Sequence, residues 1–132
     1  EAVRASSALR VYLCNVATQL GETDGYTATN HVEALEKHIG RGVFDVVLSN
    51  NSYPSKNAGE NTHYVLPPLT TEAVYARYQW RAADLTDSDR PWRHDPTKLA
   101  KALLAVYDST TQIAPSKNGP GARGRTPEPP IR

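Results

Sequence analysis

Residues 11 to 51, "VYLCNVATQLGETDGYTATNHVEALEKHIGRGVFDVVLSNN", hold two apolar runs separated by one helical period, and that order decides the fold. Residues 9 to 16 predict a buried strand. Val11, Leu13 and Val16, with Tyr12 and Cys14, make a nearly continuous apolar run, as strands do when both sheet faces are covered. Thr27 then reads as a helix N-cap with Asn30 three residues on, and Ala28, Val32, Leu35 and Ile39 recur at helical spacing up to Gly40 and Gly42. A second short run, Val43 to Leu48, ends in the polar Asn50 and Asn51. Strand, helix, strand over about forty residues is the βαβ unit, which sets two parallel strands in one sheet. The fold class is α/β.

Away from this unit the signals weaken. "NSYPSKNAGEN", residues 51 to 61, reads as a polar loop. "THYVLPPL" and "YARYQWRAADL", residues 62 to 69 and 75 to 85, read as two further strands with a diproline after the first. Asp95 before Pro96 marks a helix start, since proline's missing N–H costs nothing at the first helical position. Leu99, Leu103, Val106 and Tyr107 line one predicted face of that helix. From Pro115 the chain is almost free of apolar residues, so a segment of residues 109 to 132 is expected to be a disordered basic tail after one domain over residues 1 to 108.

Composition bounds the function. The chain has 132 residues, 39% hydrophobic and 22% charged, which suits a single domain. A net charge of +1 gives no reason to expect nucleic acid or an anionic membrane as the main partner. No apolar run is long enough to span a bilayer and no leader pattern opens the chain, which predicts a cytoplasmic protein. The lone Cys14 has no partner within the chain, in keeping with a reducing compartment, and its apolar strand predicts a buried, inert thiol. The chain contains no methionine and opens with Glu1, and "EAVRASSA" reads as the end of a helix, so a fragment of a longer protein is expected.

Between the first strand and the first helix lies "TQLGETDG", residues 18 to 25. Ligands of open parallel sheets bind outside the carboxyl ends of the strands, where this corner falls. Gly21 and Gly25 allow close backbone approaches, and the following helix N-terminus favours an anion. Thr18, Gln19 and Thr23 can donate to phosphate or sugar oxygens. Glu22 and Asp24 repel phosphate unless they face hydroxyls, a metal ion or their own backbone. The same residues also serve an ordinary βα corner, and neither the dinucleotide fingerprint nor a phosphate loop is present. Asn15, Asn50 and Asn51, at the ends of neighbouring strands, predict three amides in one crevice, suited to recognition rather than proton transfer.

Other constellations carry less. His31, His38, His63 and His94 lack zinc-site spacing, and no metal or cofactor is expected. Asp95 is accounted for by capping and His94 by its flank. Tyr75, Tyr78, Trp80 and Trp92 among Arg77, Arg81, Arg90 and Arg93 read as core and strand aromatics with solvated arginines rather than a base-stacking surface.

The block from Val11 to Gly40, with "DVVLSNN", "RAADLTD" and "WRHDPTKLAKALL", resembles the C-terminal part of the gluconeogenesis-factor family, relatives of the 2-phospho-L-lactate transferases. The resemblance covers residues 1 to about 108, with a poor match from Ser52 to Arg81. It implies a cytoplasmic bacterial protein of Rossmann-like fold that binds a nucleotide-sugar such as UDP-N-acetylglucosamine. It also implies a role in cell-wall synthesis and cell shape during gluconeogenic growth, with cell-wall regulators and a homo-oligomer as conceivable partners. The family's glycine-rich nucleotide loop lies near its N-terminus, outside the part resembled. The residues carried over are Asn15, Thr18, Gln19, Gly21, Glu22, Thr23 and Asp24, with Asn50 and Asn51 from the second strand. Leu20 replaces a usual proline, and the loop at 51 to 61 replaces a longer helical segment. The alternative is an enzyme that moves a phospholactyl group from a nucleotide carrier to a deazaflavin precursor. A fragment without the N-terminal part is expected to bind nucleotide weakly and to expose a sheet edge and one bare face.

Overall fold

The computed structural model describes residues 1–111. Of the tail expected over residues 109 to 132, residues 109 to 111 instead continue the last helix, and the rest lies outside the described residues. In chain order the elements are α1 (Ala2–Ala5), β1 (Val11–Leu13), α2 (Ala28–Ile39), β2 (Val46–Asn50), α3 (Ala73–Arg77), β3 (Gln79–Ala83) and α4 (Pro96–Thr111). The three strands form one parallel sheet in the order β1-β2-β3, with Val11 opposite Val46 and Val46 opposite Gln79. The predicted βαβ unit is therefore present.

β2 takes the centre because all five of its residues are buried. Its side chains alternate between two cores, as the pleat requires. Val46 and Leu48 join Val16, Leu85, Ala102 and Val106, whereas Val47 joins Ala28, Val32, Phe44 and Val74. Each fully buried valine or leucine among these contributes about 1.5–3 kcal/mol relative to exposure. Helical residues thus contribute to the cores on both faces of the sheet. The outer edges of β1 and β3 are unpaired among the described residues.

α2 forms as its sequence predicts. The Thr27 hydroxyl accepts from the Asn30 N–H while the Asn30 side chain accepts from the Thr27 N–H, closing a capping box. At the other end Gly40 takes a φ of 82°, open to glycine, and stops the helix. Glu36 on this helix is buried, and its carboxylate accepts from the Arg77 guanidinium at 2.9 and 3.2 Å and from the Tyr78 hydroxyl. That links α2 to α3.

Several boundaries differ from expectation. β1 is shorter than residues 9 to 16: the Cys14 N–H still donates to the Leu48 carbonyl, but beyond it Val16 and Thr18 bond to Val65 and His63 instead of β2, and Cys14 and Val16 stay buried. β2 begins three residues later than Val43. Val43 and Phe44 instead pack in the turn before it, with the Phe44 ring stacked 4.5 Å from Tyr78, and Arg10 holds Asp45 at 2.6 Å. "THYVLPPL" is no strand: Tyr64 makes one antiparallel bridge to Ala17, and Pro67 and Pro68, which lack N–H groups, follow. "YARYQWRAADL" divides into α3 and β3. The loop at 51 to 61 is not wholly polar in its packing, since Ala58 is buried in the core.

α4 starts as expected, with the Asp95 carboxylate accepting from the Lys98 N–H at 2.9 Å. Its buried stripe is Leu99, Ala102 and Val106; Leu103 and Tyr107 are exposed. The helix is rotated so that a small residue, Ala102, meets the sheet.

Candidate functional site

A cleft of about 470 Å³ opens beyond the carboxyl end of β1, lined by Asn15, Val16, Ala17 and Gln19 on one side and Trp92, Arg93 and His94 on the other. Both walls are βα loops, one between β1 and α2, the other between β3 and α4. Since β2 lies between β1 and β3, the second loop must cross the sheet to reach the first.

Hydrogen bonds show how it does so. The Asn50 amide oxygen, buried at the end of β2, accepts from the Leu85 N–H at 3.1 Å and the Ser52 N–H at 3.3 Å, while its nitrogen donates to the Ser52 carbonyl at 2.6 Å. Asp84 accepts from the Thr86 hydroxyl and from Lys98. The Lys98 and Thr86 contacts hold the Asp84 carboxyl down at about 2. The Asp87 carboxylate accepts from the N–H groups of Asp89 and Arg90, which closes a tight turn. His94 Nε2 then meets the Cys14 carbonyl at 3.2 Å. A carbonyl only accepts, so Nε2 carries the proton in this contact.

The opposite wall is knitted from within. The Thr23 hydroxyl accepts from the Gln19 N–H at 2.7 Å and the Asp24 carboxylate from the Gly21 N–H at 2.8 Å, with Gly21 at φ 80° and Gly25 at φ 71°. Asp24 thus faces its own backbone. The Thr18 hydroxyl is buried and accepts from the His63 N–H at 3.0 Å. Among the described residues the side chains of Asn15, Gln19 and Glu22 make no hydrogen bond and are exposed.

The α2 N-terminus is more closed than its sequence predicts. The Ala28 N–H donates to the Leu66 carbonyl at 2.9 Å and the Asn30 N–H is capped by Thr27, so two of the donors expected to face an anion are already engaged. The three amides also do not converge. Asn15 lines the cleft, Asn50 is turned into the core by the Leu85 N–H, and Asn51 is exposed outside the lining, its N–H donating to Ala83. Of the residues singled out in the sequence, the structure brings Asn15 and Gln19 to the cleft, packs Thr18 and Asn50 behind it, and places Gly21, Glu22, Thr23 and Asp24 in the adjoining turn.

The sequence reads Trp92 as a core or strand aromatic, Arg93 as a solvated arginine and His94 as a flanking residue, yet they form a wall of the cleft. Their position just before the Asp95 N-cap was the available signal, because it places them in a βα loop. Cys14, beneath the cleft, is buried, and burial pushes its thiol up to about 12. Among the described residues no group of three or more His, Cys, Asp or Glu is placed to hold a metal ion, and no helix is long and apolar enough to cross a membrane.

The family model described as 2-phospho-L-lactate transferase CofD matches residues 1–111. The chain belongs to the CofD family. Among its relatives, a putative gluconeogenesis factor of Nostoc sp. is 37% identical over 114 residues, which are 81% of this chain and 25% of that protein. The gluconeogenesis factor of Halalkalibacterium halodurans is 34% identical, across 79% of this chain and 34% of that protein. A crystal structure of a upf0052 family member from Bacillus halodurans superposes with a TM-score of 0.68 at 30% identity, covering 78% of this chain and 34% of that one. This CofD-family chain therefore spans about a quarter to a third of the length of these relatives, and it shares the parallel α/β architecture of the solved one.

Proposed function

We propose that the chain is part of a cytoplasmic gluconeogenesis factor that binds a nucleotide-sugar, of the UDP-N-acetylglucosamine type, and acts as a regulator of cell-wall synthesis and cell shape during gluconeogenic growth. The relatives' name supports the gluconeogenic role. The observation that carries the ligand reading is the composition of the cleft. Arg93 supplies a fixed positive charge for a diphosphate, Asn15 and Gln19 supply amides for hydroxyls or a base edge, and Trp92 supplies a flat apolar surface. The cleft also stands where parallel sheets take ligands. Apart from His94, whose Nε2 is committed to the Cys14 carbonyl, the polar side chains lining the cleft are amides and a guanidinium, which recognise and hold rather than transfer protons at neutral pH.

The family model's description favours a second reading, a transferase of a phospholactyl group from a nucleotide carrier. A thermal-shift titration of the intact protein with UDP-N-acetylglucosamine, UDP and GDP separates the two. A ligand that binds only the folded state raises the melting temperature as its concentration passes Kd. Stabilisation by the UDP-sugar, abolished by Arg93→Ala and weakened by Asn15→Ala, is the expected result. A response to GDP alone moves the assignment to the transferase, and no response to any of the three sinks both readings of the cleft.

A further inference from the structure

We propose that Trp92 is the platform on which the ligand's nucleobase stacks, and that Gly59 is the positioning residue that seats it. This rests on the nucleotide-sugar reading of the cleft and names how one end of the ligand is held. Trp92 is 45% exposed although it sits in a loop fastened at Leu85, Asp87 and His94, so its ring is presented by a fixed backbone rather than buried in a core. Behind the ring stands a second loop. Gly59 bridges Thr62 through a turn in which Asn61 takes φ 55°, a conformation that asparagine tolerates better than most residues. A Cβ on Gly59 would stand 3.4 Å from the six-membered ring of Trp92 and 2.8 Å from the Thr62 hydroxyl. That hydroxyl is buried without a partner among the described residues.

The missing side chain at Gly59 therefore lets the loop back the indole directly, and Ala58, buried in the core, anchors that backing. Indole offers a π-face to any base, while the amides of Asn15 and Gln19 pair a donor with an acceptor, as a base edge requires. Arg93, the next residue in the chain, leaves the charged part of the ligand adjacent to the platform.

The test measures UDP and N-acetylglucosamine 1-phosphate binding to the intact protein, by calorimetry and by the Trp92 emission, taken as the difference between the parent and Trp92→Phe. We expect Trp92→Ala to weaken UDP about tenfold or more, Trp92→Phe to recover most of it, and Trp92 emission to be quenched on UDP binding. Gly59→Ala should weaken UDP in the same direction by pushing on the Thr62 hydroxyl at 2.8 Å and so shifting the loop that backs the ring. The proposal is overturned if Trp92→Ala binds UDP within twofold of the parent, if UDP binds without changing Trp92 emission, or if the loss is confined to the sugar phosphate. Arg93→Ala keeps the two readings apart: loss of UDP there with Trp92→Ala unaffected removes the platform alone, whereas a parent protein that binds neither UDP nor the UDP-sugar removes the ligand reading itself.

Discussion

His94 lies 3.2 Å from the Cys14 carbonyl, eighty residues away in sequence, and this one contact brings the loop before α4 onto the end of β1. Without it the two walls of the cleft have no direct polar tie. His94→Ala should cost about 1 kcal/mol of stability, the usual net worth of such a bond. Amide hydrogen exchange should rise selectively over residues 86 to 95. An unchanged exchange pattern there would mean that the loop is held by Asn50 and Asp87 alone.

Asn50 is the sharper stability test. It is 1% exposed, and removing its amide leaves the Leu85 N–H buried without an acceptor. Asn50→Ala should destabilise by about 1–3 kcal/mol in urea denaturation. The adjacent Asn51 is exposed, and Asn51→Ala should stay within about 0.5 kcal/mol of the parent.

Acid should loosen the same region. Lys98 and Thr86 hold Asp84 at about 2, below its ordinary value, so the folded state favours the ionised carboxyl. The resulting stabilisation is complete above about pH 4 and is lost as pH falls toward about 2. Because the Asp84 and Lys98 side chains are partly exposed, at 47% and 34%, solvent screening keeps the effect below about 1 kcal/mol. Urea midpoints at pH 7 and pH 2.5 should therefore differ less in Asp84→Asn than in the parent, and an equal difference would show that the pair contributes nothing.

Cys14 should be silent toward thiol reagents in the native state. With its thiol pushed up to about 12 by burial, the reactive thiolate is negligible at neutral pH. Labelling with a chromogenic disulfide should proceed only at the rate at which the protein opens, and should become immediate in urea.

What the sequence disclosed was local. The capping box at Thr27 and Asn30 and the Asp95-Pro96 start involve residues within one helical turn, and both are found in the structure; of the apolar period of α2, Ala28 and Val32 are buried and Leu35 packs against them, whereas Ile39 is exposed. The misread parts depend on distant partners. Val74, Tyr75 and Tyr78 have strand-like side chains, but Val74 is drawn into the α2-side core and Tyr78 to Glu36, which accompanies a short helix there. Asn50 looked like a ligand amide because nothing nearby reveals the Leu85 N–H that occupies it. Trp92 beside an arginine reads from its neighbours as a core aromatic, although it lines the cleft. Only the return of its loop to β1 separates the two, and that return is written in contacts across more than forty residues.

The Asn50 amide has one more implication. By clasping the end of the central strand, Ser52 and Leu85 together, it couples the sheet behind the cleft to the loop that carries one of its walls. A visitor to this cleft meets walls already set by the sheet, and little entropy remains to be surrendered on arrival. Association should then run at rates governed by diffusion and charge, with discrimination among ligands expressed in how long each one stays.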